Sequence, residues 1–110
     1  MSPVPDPEGS FSAVDEVLTE WPEVKAKQVF GHRGYVRAGK MFAFLARDGV
    51  AVKAAGQFAD ELYGRPGVVA FACNVMPMKQ WPILPLTGRA DLDDVIENAR
   101  RAYESVAHGG

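Results

Sequence analysis

The sequence predicts a two-layer α+β domain in the order helix, three-strand meander, helix, two strands, helix, with an antiparallel sheet that carries its helices on one face. Three observations predict it. The segments near the two ends repeat apolar residues at helical spacing: Val14, Val17, Leu18 and Trp21 in the first, and Leu92, Val95, Ile96, Ala99, Tyr103 and Val106 in the last. Between Lys27 and Ala54 the pattern changes to short runs rich in Val, Phe and Tyr, broken by Gly31, Gly34, Ala38-Gly39 and Asp48-Gly49. The chain has 110 residues, 47% of them hydrophobic, which suffices for one core and no second domain.

Each element has its own local cause. Pro3, Pro5, Pro7 and Gly9 make residues 1–9 an expected disordered leader, so the domain is expected to span 10–107, with 108–110 as a frayed tail. Ser12 is the expected N-cap of the first helix, Asp15 and Glu16 lie in its first turn, and Pro22 stops it. In the meander, Asp48-Gly49 suits a two-residue type I′ turn, and Ala38-Gly39 marks a second. Those turns would pair Leu45 with Val52, Val36 with Met41, Tyr35 with Phe42 and Arg33 with Phe44. Gln57–Tyr63 reads as a short helix with Phe58 and Leu62 one turn apart, closed by Gly64. Val68–Ala72 and Trp81–Leu86 read as strands, and Pro77, Pro82 and Pro85 place the second at an edge. Asp91 is the expected N-cap of the last helix, with Asp93 and Asp94 in its first turn.

The residue inventory argues against catalysis. A Ser-His-Asp or Cys-His site needs a His beside its nucleophile, and the chain has 2 His, of which His108 falls in the expected tail. The single Cys, Cys73, follows an apolar run and reads as a small buried hydrophobe. Without a disulfide to form, the chain fits a reducing, cytoplasmic compartment, and no run is long and apolar enough to span a membrane. His and Cys nowhere recur at ligand spacing, so no metal and no cofactor is expected, and no glycine-rich phosphate loop is present. Gly31-His32-Arg33-Gly34 has the spacing of a backbone clamp used by some RNA-binding domains. Strand-like sequence on both sides makes it a bend or bulge instead.

Charge is segregated along the chain. Residues 1–23 hold six acids and no base, whereas residues 24–54 hold Lys25, Lys27, Arg33, Arg37, Lys40, Arg47 and Lys53 against Asp48 alone. In the expected register one face of the meander carries Val36, Met41, Ala43, Leu45, Val50 and Val52, and the other carries Arg33, Tyr35, Arg37, Lys40, Phe42, Phe44 and Lys53. The second face has the composition of a nucleic-acid platform: Arg33, Arg37, Lys40 and Lys53 for phosphates, Tyr35 and Phe44 for stacking or packing. Two other readings fit the same residues, a rim of solvated cations around buried rings and a homodimer interface. Lys79 and Trp81 could line a groove with Lys40, but a core Trp at the sheet edge is the favoured reading.

Val29-Phe30-Gly31, Gly39-Lys40-Met41-Phe42-Ala43, Asp48-Gly49-Val50-Ala51-Val52-Lys53 and Met76-Pro77-Met78-Lys79-Gln80-Trp81, in that order, resemble the N-terminal domain of the TfoX/Sxy competence regulators. The resemblance runs from about Val29 to Tyr103, and the related YjbR/MmcQ-like domains share the layout. It implies the same α+β fold, no enzymatic activity, and a role linked to transcription, with DNA or a transcription-factor partner. The chain ends near Gly110, without the second helical domain of the full regulators, so a stand-alone domain is expected.

Overall fold

Helices and strands follow one another in the expected order. The computed structural model describes residues 6–29, 31–73 and 76–107, and only the backbone of Val29, Cys73 and Ala107. The chain forms α1 (Ser10–Glu20), β1 (Val24–Val29), β2 (His32–Arg37), β3 (Lys40–Leu45), β4 (Gly49–Val52), α2 (Gly56–Tyr63), β5 (Val69–Cys73), β6 (Met76–Pro85) and α3 (Leu92–Ala107). The strands make one antiparallel sheet in the order β1-β2-β3-β4-β6-β5, with the helices on one face. There the core joins Val14 and Leu18 of α1 and Val95, Ala99, Ala102 and Tyr103 of α3 to Tyr35, Phe42, Val50, Val52 and Leu84 of the sheet.

The meander has four strands, not three. In β1, Val24 and Ala26 touch the core while Lys25 and Lys27 point away, an alternation too weakly apolar to announce a strand. Both hairpin turns also differ from expectation. Ala38 and Gly39, at φ 50° and 84°, form the turn with two positive φ values. At the other turn Leu45 pairs with Val50, so Arg47-Asp48 is the loop, and Gly49 has no positive φ. Gly49 is needed for another reason: a Cβ there would overlap the backbone carbonyl of Leu84 on β6.

The expected pairing of Tyr35 with Phe42 and Arg33 with Phe44 is also replaced. Val36 does pair with Met41, but a β-bulge follows, so Tyr35 lies opposite Ala43 and Gly34 opposite Phe44. The extra residue puts Phe42 and Ala43 on the helix side together and leaves Met41 and Phe44 on the other.

The proline-rich strand is interior rather than at an edge. β4 reaches only Gly49↔Pro85 to Ala51↔Ile83, so Pro77 faces β5 alone and Pro85 faces β4 alone, while Pro82 lies at a break in the β5–β6 register. Pro77 and Pro85 therefore lie where β6 has one neighbour and Pro82 where the ladder is already broken, so their missing N–H groups interrupt little pairing.

The ends of the helices also differ from expectation. Residues 1–5 and 108–110 lie outside the described residues, whereas Pro7–Gly9, expected in the leader, form a 3-10 turn. Asp6 accepts from the Phe11 amide at 2.6 Å and from the Ser12 hydroxyl at 2.7 Å, capping α1 from outside where Ser12 was the expected cap. Asp91 turns its carboxylate back to the Thr87 amide and hydroxyl at 2.8 and 2.9 Å. Gly64 closes α2 at φ −75°, without the left-handed geometry of a typical glycine cap.

Candidate nucleic-acid interface: the uncovered sheet face

The side of the sheet without helices carries its own buried cluster of Phe44, Ala46, Ala51 and Trp81, flanked by Met41, Phe71, Met78 and Ile83. The sheet itself encloses it. Phe44 on β3 and Phe71 on β5 are three strand spacings apart, roughly 14 Å in a flat sheet. Their ring centroids are nonetheless 4.8 Å apart, edge to face, and the His32 ring on β2 lies 5.6 Å from Phe71. The sheet therefore coils toward this face and folds the β5–β6 hairpin over Phe44.

Strand alternation fixes which cations share the face. The Arg33 and Arg37 side chains reach α1 and α3, so their partners Gln28 and Val24 are on the helix side, and Lys25 and Lys27 lie on the uncovered side. Val52 belongs to the helix-side core and Ala51 to the other cluster, which puts Lys53 on the uncovered side too. Lys40, opposite Arg37, is on the helix side; Lys53 donates its N–H to the Phe42 carbonyl and Ala54 to the Gln80 carbonyl, so Lys40, Lys53 and Lys79 come together only at one end of the sheet. Among the described residues, none of these five lysines has a carboxylate within 4.0 Å.

The layers differ in charge as well as in packing. None of the six strands contains Asp or Glu, and they carry Lys25, Lys27, Arg33, Arg37, Lys40 and Lys79. The three helices carry nine acidic residues against Arg100 and Arg101. The basic meander seen in the sequence is thus the sheet layer, set against an acidic helix layer.

The residues singled out in the sequence separate into three groups. Lys40, Lys53 and Lys79 stay accessible at one end of the sheet. Arg33, Tyr35 and Arg37 are committed to the helix side. Asp15 of α1 accepts from the Tyr35 hydroxyl at 2.6 Å and from Arg33 Nε, while Arg37 lies 3.9 Å over the Tyr103 ring and donates to the Tyr103 carbonyl at 3.1 Å. Phe44 and Trp81 are buried against each other with centroids 5.1 Å apart, so neither ring offers a face for a base. Lys25 and Lys27 are the residues that sequence reasoning missed as a pair, and their i, i+2 spacing on a strand was the available signal. Gly31, at φ 78°, makes the bend read from the Gly-His-Arg-Gly motif.

Charge states follow from these contacts. Burial, and after it the Asp15 carboxylate, push the Tyr35 phenol well above its ordinary value. The hydrogen bond to Asp15 raises Arg33 further. The Ser12 hydroxyl lowers Asp6, and the Thr87 amide lowers Asp91. Among the described residues no group of three His, Cys, Asp or Glu is placed to hold a metal ion, and no helix is long and apolar enough to cross a membrane.

Comparison of the chain with protein-family models, with curated proteins and with solved structures finds no match. What the fold and this face define is a class: a small α+β domain with one helix-covered sheet face and one open, lysine-bearing face.

Proposed function

We propose that the chain is a non-enzymatic regulatory or interaction domain that binds DNA through the uncovered sheet face, in the manner expected from its resemblance to the TfoX N-terminal domain. One observation carries the reading: Lys25, Lys27 and Lys53 stand on the uncovered side, with Lys40 at its rim, of a sheet whose strands contain no carboxylate to compete with phosphate. Lys and Arg contacts to phosphate release counterions, so about four such contacts give a log–log salt slope of about −3 to −4.

The test is fluorescence anisotropy of a labelled mixed-sequence duplex at about 50 and 200 mM salt. Wild type is expected to bind with that slope, and Lys25→Glu/Lys27→Glu to lose at least about tenfold in affinity. Arg100→Glu, a reversal in the helix layer, should leave binding unchanged. Absence of binding at the lower salt, or equal loss in both variants, would remove the reading.

A second reading rests on the opposite edge. Strand β5 ends the sheet, holds no charged residue, and exposes 60% of Val69 at its start, while Met76 of β6, opposite Cys73 at its other end, is 69% exposed. That edge suits strand pairing between two copies of the chain. A strict monomer by light scattering across micromolar concentrations would rule it out.

A further inference from the structure

The end of the sheet away from Lys40 and Lys53 holds a cleft of about 810 Å³, the size of small-molecule sites, where the β1–β2 and β3–β4 turns meet the start of α1. Phe11, Leu45 and Ala46 give it apolar walls, and Asp6, Asp15, Arg33 and Arg47 supply its charges. The two acids are already engaged by the chain itself. Asp6 accepts from the Phe11 amide and the Ser12 hydroxyl, and Asp15 from Tyr35 and Arg33.

The two arginines are differently placed. Asp15 grips Arg33 at Nε and the Tyr35 hydroxyl also lies against the guanidinium, yet half of the Arg33 side chain stays exposed to the cleft. Arg47, exposed in the β3–β4 turn, has no ion pair among the described residues. A guanidinium held from behind presents its paired N–H donors to a carboxylate with little further ordering to do. The unmet demand in the cleft is therefore for an anion with an apolar body.

We infer that this cleft binds a small organic acid, its carboxylate between Arg33 and Arg47 and its hydrocarbon part against Phe11, Leu45 and Ala46. The inference is independent of the DNA-binding reading, since Lys40 and Lys53 lie at the far end of the sheet and Lys27, next to Gln28 of the cleft, points to the other face.

The test is an amide-resolved NMR titration of the full chain with phenylacetate and octanoate, each beside its neutral amide, and with acetate. Both larger acids are expected to give saturable shifts at Phe11, Ser12 and Leu45 to Arg47, with dissociation constants of about a millimolar or tighter. The amides and acetate should bind at least about tenfold more weakly, lacking the charge and the apolar body respectively. Arg47→Ala, at an exposed turn, is expected to cut affinity for the acids about tenfold while leaving the amides unaffected. The inference fails if neither acid saturates these signals by about 20 mM. It fails equally if acid and amide bind alike, or if Arg47→Ala changes nothing.

Discussion

On one side of the sheet α1 and α3 close over Phe42, Tyr35 and Val52; on the other, Phe44, Ala46, Ala51 and Trp81 are buried with no helix above them. The helix side is covered by a second layer, which brings its own carboxylates with it. The uncovered side is closed by the coil of the sheet, through rings that meet across three and four strand spacings. Coiling buries a small core without adding a charged layer, and so leaves the flanking lysines facing solvent. The difference teaches that the open face is a consequence of strand curvature as much as of composition.

The largest test of this comparison is truncation on each side. Phe42→Ala and Phe44→Ala should each cost about 3–5 kcal/mol by chemical denaturation, since both rings are fully buried. A cost for Phe44→Ala below about 1 kcal/mol would mean that the uncovered cluster is no core at all. Gly49→Ala should cost about 1–3 kcal/mol or more, because its Cβ pushes β4 away from the Leu84 carbonyl just where the coil joins β4 to β6.

Smaller effects sharpen the contrast. Tyr35→Phe removes the hydroxyl that Asp15 holds and should cost about 1 kcal/mol at neutral pH. Its pH dependence has a definite sign. The folded state keeps the Tyr35 proton above 10.0, where the unfolded chain begins to lose it, so the stabilisation is whole below pH 10.0 and falls as the pH rises toward the folded value. The stability gap between wild type and Tyr35→Phe should therefore narrow above that pH, and a constant gap would contradict the burial of this phenol. Smallest of all, Lys25→Ala and Lys27→Ala should each change stability by less than about 0.5 kcal/mol, although both are expected to weaken the DNA binding proposed above.

The element order was legible because α1, α2 and α3 show helical periodicity and the turns are marked by glycine. The phase of the strands was not. Met41-Phe42-Ala43-Phe44-Leu45 is apolar at every position, so alternation carries no information about which side chain faces the helices, and nothing local marks the bulge that turns Phe42 and Ala43 the same way. The cation-rich segment was visible as a stretch of sequence, but its division between faces depended on that bulge and on Asp15, 18 positions from Arg33. Gly49 shows the same limit differently, as a glycine expected for its φ and required for a neighbour 35 positions away, Leu84. Long-range approach of this kind leaves no trace in neighbouring residues.

The Arg89 amide donates to the Glu8 carboxylate at 2.8 Å and its guanidinium to the Glu8 carbonyl at 3.0 Å, clasping together segments 81 positions apart. Closing so long a loop costs only logarithmically more entropy than closing a short one. The clasp is exposed and polar, so it belongs to the low-stability end of the molecule and is expected to open before the buried cores. The clasp joins the 3-10 turn ahead of α1 to the one ahead of α3, so the beginning of the fold and the beginning of its last helix are expected to open together, away from the coiled sheet.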